Sequence, residues 1–138
     1  MALTAKRSTA ATKAAIEAMG ALLNNGYLRI YDGAQPTDGN TALGAQHLLA
    51  ELRFNATAFG SAAAGVITAN AITSATAGAT YTAAWFRALK SGGVDVTDNV
   101  YDGSVGTTGC DLNLATTAIA AGATVAVSAL TLTGVASE

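Results

Sequence analysis

The segment Tyr81-Thr82-Ala83-Ala84-Trp85-Phe86-Arg87-Ala88-Leu89 decides the fold class, because its side chains alternate in character along the chain. Alternation with a period of two is the pattern of a β-strand, whose successive side chains point to opposite faces of a sheet. We therefore predict one strand from Tyr81 to Leu89. One face of that strand carries Tyr81, Ala83, Trp85, Arg87 and Leu89, and the other carries Thr82, Ala84, Phe86 and Ala88.

Short segments of similar character follow one another from residue 27 onward, separated by Gly, Asn and Asp residues that favour turns. The further strands are predicted at Tyr27–Tyr31, Leu48–Phe54 (with Leu48, Ala50, Leu52 and Phe54 on one face), 65–70, near Ile72, 94–96, 100–105, 111–114 and 125–133. No helical pattern intervenes, which argues against a parallel α/β sheet. We predict a mainly β fold, an antiparallel β-sandwich that is jelly-roll-like.

The first 26 residues have a different pattern. Strong helix formers dominate, which predicts a helix over residues 4–25 that Ser8 or Thr9 caps. Its apolar face would contain Ala15, Ile16, Met19, Leu22 and Leu23. Gly26 is predicted to end the helix in the left-handed conformation. The chain thus divides into an N-terminal helical arm, residues 1–26, and a β-sandwich domain, residues 27–138.

Charge is scarce and unevenly distributed. Charged residues make up 12% of the chain, and none lies between Arg53 and Arg87 or between Asp111 and Glu138. Because free soluble domains normally intersperse charges over their surfaces, these two neutral stretches favour a surface that a partner covers. Lys6, Arg7 and Lys13 at the N-terminus are too few to predict specific nucleic-acid binding. No apolar run is long enough to predict a membrane span or a secretory signal.

Side chains suited to catalysis or metal binding are rare. His47 and Cys110 are the only residues of their types, and neither lies in a catalytic signature. They are also too few for a structural zinc site, so we predict a protein that is not an enzyme and needs no cofactor. Asp95, Asp98 and Asp102 form an acidic cluster with loose resemblance to a calcium loop, but such residues are typical of a solvated turn. Whether that loop binds an ion stays open.

The larger apolar and aromatic side chains are the candidates for contact with a partner. A helix of this length needs a surface to pack on, which is either the sheet of its own chain or a neighbouring subunit. Large rings on strands pack across strands or at interfaces. The predicted interface residues are Ile16, Met19, Leu23, Tyr27, Tyr31 and Trp85.

Several linear segments resemble a known group of proteins. They are Leu28-Arg29-Ile30-Tyr31-Asp32-Gly33 followed by Gln35-Pro36, Leu48–Phe54, Ala83–Leu89, Asp102-Gly103-Ser104-Val105-Gly106 and Asp111-Leu112-Asn113-Leu114. Together they resemble small virion structural proteins, rich in Ala, Thr and Gly, of tailed bacteriophages and prophages. The resemblance implies a capsid decoration or cement protein that forms dimers or trimers and binds the major capsid protein. It also implies assembly in the host bacterial cytoplasm and a final location on the capsid surface.

Two other functions are compatible with the same sequence. A tail, neck or fibre-base component of the phage particle would also be neutral and rich in β-structure. A carbohydrate-binding β-sandwich module would need an exposed ring, for which Trp85 is the candidate, and would make weak contacts with sugar.

Overall fold

A computed structural model describes residues 4–133, in which one helix is followed by eleven strands. The elements are α1 (Thr9–Ala21), β1 (Tyr27–Tyr31), β2 (Leu48–Arg53), β3 (Val66–Thr68), β4 (Ala75–Thr76), β5 (Tyr81–Thr82), β6 (Trp85–Leu89), β7 (Asn99–Gly106), β8 (Leu112–Leu114), β9 (Ala118–Ile119), β10 (Thr124–Val125) and β11 (Val127–Thr133). The predicted mainly β class with one N-terminal helix is confirmed. Residues 1–3 and 134–138 of the predicted arm and β-domain lie outside the described range.

Seven strands form one large, curled sheet in the order β2-β1-β6-β7-β8-β11-β3. Its neighbouring strands are antiparallel except for β7 and β8, which run parallel. The remaining strands pair as two short antiparallel sheets, β4 with β10 and β5 with β9. All three sheets and the helix contribute to one core, represented by Ile16, Leu28, Phe86, Val125 and Ile119. The core is therefore closed by the helix and the two short sheets.

Strand β6 lies near the middle of the large sheet, and all five of its residues are buried. Phe86 and Ala88 point into the apolar core. Trp85 and Arg87 alternate with them and are covered from the other side by connecting segments, because Asp32 and Thr41 both contact this face. Burial on both faces explains why the pattern of the strand lacks a clear polar side.

The predicted strand at Tyr81–Leu89 is two strands. Tyr81 and Thr82 belong to the short β5–β9 sheet, whereas Trp85 to Leu89 belong to the large sheet. The chain changes sheets at the intervening alanines, since the Ala83 amide donates to Thr117 and the Ala84 amide donates to Tyr31. Alternation continues through such a change, so the pattern alone could not reveal it.

Other strand predictions also need correction. Residues 94–96 form a turn, because Val96 has a left-handed φ of 66° and Asp98 binds the Val94 amide. Ile72 lies between strands, and the predicted strand at 125–133 is interrupted at residue 126. The pairing between β1 and β2 shifts at Ile30–Tyr31. Because of this shift Leu49 is buried and Leu48 is exposed, whereas the predicted alternation put Leu48 on the buried face.

The helix is shorter than predicted. It begins at Thr9, after the Ser8 hydroxyl accepts a hydrogen bond from the Ala11 amide, and it ends at Ala21. The predicted apolar face is confirmed in part. Ile16 and Leu23 are buried and Met19 is partly buried, whereas Ala15 and Leu22 are exposed and Thr12 and Gly20 are buried instead. A Cβ atom on Gly20 would lie 2.6 Å from Ile67 Cδ1, so this glycine allows the helix to approach β3 closely.

Candidate functional site

Arg87 is the most deeply buried charged side chain in the described part of the protein, with 0% exposure. Its Nε and Nη2 donate to the two oxygens of Asp102, each at 2.8 Å, and its Nη1 donates to Asp95 at 2.6 Å. The remaining Nη2 hydrogen binds the Thr41 carbonyl oxygen at 2.9 Å. The hydrogen bonds that Arg87 donates to Asp102 and Asp95 raise the pKa of Arg87 above its ordinary value despite burial. Arg87 therefore stays charged and joins three separate segments.

The acidic residues of the 95–102 segment do not converge on one point. Asp102 and Asp95 bind Arg87, whereas Asp98 accepts from the Val94 amide and lies 3.9 Å from Lys90 Nζ. Arg87 thus binds two of the three aspartates for which the sequence left open whether they bind an ion. Within residues 4–133, no group of three or more His, Cys, Asp or Glu side chains is arranged to hold a metal ion.

Tyr31 of β1 and Trp85 of β6 form an aromatic layer on the same face as Arg87. Tyr31 and Trp85 stack with ring centroids 4.7 Å apart, and the Arg87 guanidinium lies 5.5 Å from the Trp85 ring. Burial raises the pKa of Tyr31. Trp85 is only 1% exposed, and its Nε1 donates to the Asp32 carbonyl oxygen. An open sugar-binding platform at Trp85 is therefore not present in this fold.

The predicted interface residues fall into two groups. Ile16, Leu23, Tyr31 and Trp85 are buried by their own chain, with exposures of 4% or less. A partner that contacts the folded protein would not reach these four side chains, so their assignment to an interface needs correction. Met19 is partly buried against the core and Tyr27 is partly exposed, and both stay predictions.

His47 and Cys110, the two residues considered for catalysis, lie in two different connections between strands. His47 precedes the edge strand β2, where its Nδ1 lies 2.9 Å from an Asp32 oxygen and its ring stacks on Tyr81. Cys110 lies in the connection from β7 to β8 and is half-buried, beyond β1 and β6. The contacts of His47 instead position the chain between β1 and β2.

A shallow groove of about 210 Å³ runs between the helix and β11. Its lining is mostly apolar and consists of Arg7, Thr12, Ala15, Ile16, Met19, Leu132 and Thr133. The Thr12 hydroxyl is buried there without a hydrogen-bond partner. An unpaired hydroxyl in such a position costs free energy of folding, because it has left water without a replacement partner.

Replacing Thr12 with valine, which has nearly the same shape, is therefore expected to stabilise the protein. We expect the free energy of unfolding to rise by about 1 kcal/mol, measured by urea denaturation. Thr9→Val on the exposed start of the same helix is the matched control and should change it by less than about 0.5 kcal/mol. A loss of stability in Thr12→Val would show that the hydroxyl has a favourable partner.

The two uncharged stretches of the sequence meet in the fold. Residues 66–83 run alongside residues 117–133 in the opposite direction, and we call this paired structure the uncharged ribbon. Thr68 lies opposite Thr131, Thr76 opposite Thr124, and Thr82 opposite Ala118. Backbone hydrogen bonds between these pairings, such as Ala77 to Ala123 and Ala83 to Thr117, keep nearly the same register throughout.

The surface of the uncharged ribbon consists mostly of small neutral side chains, with Tyr81 as an exposed aromatic residue. Its exposed residues include Thr68, Thr76, Thr82, Ala118, Thr124 and Thr133. The described ion pairs all lie outside it, on the helix, on β1, β2, β6 and β7, and on the connections that follow β1 and β6. The ion pairs thus lie mostly away from the ribbon, although the His47 ring of one pair stacks on Tyr81, and Arg7 lines the groove beside Thr133.

Both edges of the large sheet are covered by residues from the first neutral stretch. At β2, the Gly78 amide donates to Leu49 and the Thr73 amide donates to Arg53. At β3, the Gly60 amide donates to Thr68. Because both edges are covered, another chain cannot readily add a strand to this sheet. We therefore expect a partner to contact the side chains of the ribbon rather than the backbone of an edge strand.

Sequence reasoning missed Arg87 as an organising residue. The signal was present as an arginine inside an otherwise apolar strand, followed by Asp102 in the next long strand. The two residues are direct cross-strand partners in the β6–β7 pair. Opposite charges in that relation attract each other, which makes such a pair a usable prediction.

Known proteins supply no further guide to the site. Comparisons with protein families, curated proteins and solved structures find no match for this chain. Among residues 4–133, no helix is long and apolar enough to cross a membrane. The surface chemistry of the described residues is therefore what supports a function.

Proposed function

We propose that the protein is a structural component of a tailed-phage particle that binds the capsid shell as a decoration or cement protein. The observation that carries this proposal is the uncharged ribbon, in which two stretches about 50 residues apart pair with each other and contribute no charged side chain. Cores of protein interfaces are depleted in charged residues, because a buried unpaired charge is costly. The sequence resemblance to phage virion proteins supplies the identity of the partner, the major capsid protein.

The physical role follows from binding at many equivalent positions. A protein that bridges neighbouring capsomers must be detached before the capsomers separate. Contacts that are weak individually become strong when one particle carries many linked copies. Association of copies of the chain into dimers or trimers would extend each bridge, and it is part of the proposal.

The binding test uses purified protein and expanded shells of the major capsid protein. We expect stoichiometric, symmetric addition to the shell and a higher temperature of shell disruption. Location at one vertex or along the tail would instead support a tail, neck or fibre-base component and would refute decoration. Failure to bind any part of the particle would refute the structural virion role altogether.

The ribbon can be tested by inserting a charge. Thr124→Lys places an ammonium group on the exposed surface of β10, where contact with a shell would bury it without a partner. We expect shell affinity to fall at least about tenfold, a loss of about 1.4 kcal/mol in binding, while the free energy of unfolding changes by less than about 0.5 kcal/mol. Binding is measured by co-sedimentation with shells.

Thr108→Lys is the matched control, because Thr108 is equally a surface threonine but lies in the β7–β8 connection outside the ribbon. It should bind shells as the parent protein does. Equal losses in the two variants would mean that added charge acts generally, and the ribbon would then not be the contact surface.

A further inference from the structure

Residues 91–98 connect β6 to β7, and we call them the β6–β7 loop. The loop carries Val94, which is the most exposed of the large hydrophobic side chains among residues 4–133, at 55%. The other exposed residues of the loop, Ser91, Gly92 and Thr97, are small and uncharged. Val94 is therefore an apolar knob on a neutral tip.

Both acidic side chains of the loop are turned back toward the protein. Asp95 Oδ1 accepts from Arg87 Nη1 at 2.6 Å. Asp98 Oδ2 accepts from the Val94 amide at 2.9 Å, and Asp98 Oδ1 lies 3.9 Å from Lys90 Nζ. The loop is acidic in sequence, but its carboxylates already have partners within the protein.

The backbone of the loop is strained. Val96 has a φ of 66°, in the left-handed region that a β-branched residue rarely adopts. Such a conformation costs free energy and persists only where surrounding contacts fix it, and it is found most often in segments with a function. Here the Asp98 amide donates to the Val94 carbonyl oxygen and closes the turn around Val96.

Two arginines of the large sheet hold the loop at its base. Arg87 binds Asp95, and Arg29 Nη2 donates to the Gly93 carbonyl oxygen at 2.8 Å. These arginines are direct cross-strand partners in the β1–β6 pair. A Cβ atom on Gly93 would lie 3.0 Å from Tyr27 Cε2, so the loop backbone lies directly against β1. The paired strands therefore present the exposed tip in one fixed position.

The loop lies at the opposite end of β6 from the uncharged ribbon. Strand β5, which belongs to the ribbon, precedes β6, whereas the loop follows β6. The five residues of β6 span roughly 15 Å. A protein that joins two capsomers needs two separate contact surfaces, of which the ribbon would supply only one.

We propose that the β6–β7 loop is the second contact surface, which inserts Val94 into an apolar pocket of the shell protein. The inference rests on the proposed function, because the bridging of capsomers is what requires a second surface. An apolar pocket is the matching chemistry, since the Val94 side chain cannot replace the water that a charged pocket would lose. Because the loop is already fixed, it loses little conformational freedom on binding.

Val94→Ser removes the apolar side chain and leaves an uncharged residue in its place. In co-sedimentation with expanded shells, we expect the affinity to fall about tenfold, the loss expected when the burial of one valine is removed. Thr97→Ser is the matched control, because it also trims an exposed side chain of the loop. It should stay within about twofold of the parent protein. Circular dichroism should show that both variants are folded.

Asp95→Asn tests whether the sheet fixes the loop, because it removes the charge that Arg87 holds and leaves Val94 in place. We expect the Val94 amide to exchange with deuterium about two- to fivefold faster than in the parent protein, the range that loss of a partly exposed ion pair allows. Equal exchange rates in the two proteins would contradict a loop held by the sheet.

The binding outcomes separate this inference from the proposed function. If Val94→Ser binds shells as the parent protein does while Thr124→Lys does not, the ribbon contact stands and the second surface is refuted. Equal losses in Val94→Ser and Thr97→Ser would also refute the role of Val94. If the parent protein binds no shell, the proposed function itself fails, and this inference fails with it.

Discussion

Arg87→Met is expected to lower the free energy of unfolding by about 3–5 kcal/mol, because it leaves Asp102 as a buried charge without its partner. The Asp102 side chain is 3% exposed and receives two hydrogen bonds from Arg87. Methionine fills much of the same volume, so the loss reflects the charge and its hydrogen bonds more than a cavity. Thermal unfolding should show a midpoint lower by about 10–20 °C.

Arg53→Met is the matched control on the same sheet. Arg53 is exposed, donates to the Asn25 carbonyl and the Tyr27 hydroxyl, and lies over the Tyr27 ring. Its removal should cost less than about 1 kcal/mol. The double variant Arg87→Met with Asp102→Leu tests the cause, because replacing a complete buried ion pair with apolar residues is often nearly neutral. If the double variant is as unstable as Arg87→Met alone, an unpaired Asp102 is not the reason.

The same arginine marks the limit of what local sequence patterns predict. Alternation correctly placed β1 at Tyr27–Tyr31 and a strand through Trp85–Leu89, because period-two burial is a local property. Arg87 looked like one side chain among others on that strand. Its burial depends on Asp95, Asp102 and Thr41, which arrive from three other segments of the chain. No window around residue 87 contains them all.

The uncharged ribbon shows a second limit. The neutral stretches are evident in the sequence, but they pair over segments of only two or three residues, which irregular backbone separates. Such pieces carry little alternation, and Ala and Thr occur on either face. The candidate surface could therefore be located in the chain from composition, whereas its shape depends on contacts between residues about 50 positions apart.

The helix illustrates a third limit, which concerns which of its faces is buried. Of the two expected caps, Ser8 and Thr9, the structure confirms Ser8; capping is predictable because it depends on neighbouring residues. The buried face is predicted only in part: Ile16 is buried as expected, but the smallest residue of the helix, Gly20, also lies against Ile67 and Phe59. A search for large apolar residues necessarily assigns a glycine to the solvent side. The shape of the surface that receives the helix decides which face is buried.

Gly26 was expected to adopt the left-handed conformation, but Asn25 does so instead, with a φ of 57°. Gly26 is required for space. A Cβ atom there would overlap the Leu89 carbonyl oxygen and lie 2.8 Å from the Leu23 carbonyl oxygen. Both are backbone atoms, and Leu89 is held by its pairing with Tyr27 in the β1–β6 ladder. The clash therefore cannot be relieved by turning a side chain.

We expect Gly26→Ala to lower the free energy of unfolding by about 3 kcal/mol, at the upper end for an added methyl group in a packed site, because the β1–β6 pair must shift to admit it. Asn25→Gly is the control, since glycine adopts a positive φ freely and the exposed side chain is removed from the surface. Its effect should stay within about 0.5 kcal/mol. Urea denaturation with an unchanged slope measures both variants. The opposite order, with Gly26→Ala tolerated and Asn25→Gly destabilising, would mean that the asparagine side chain rather than the space at Gly26 connects the helix to the sheet.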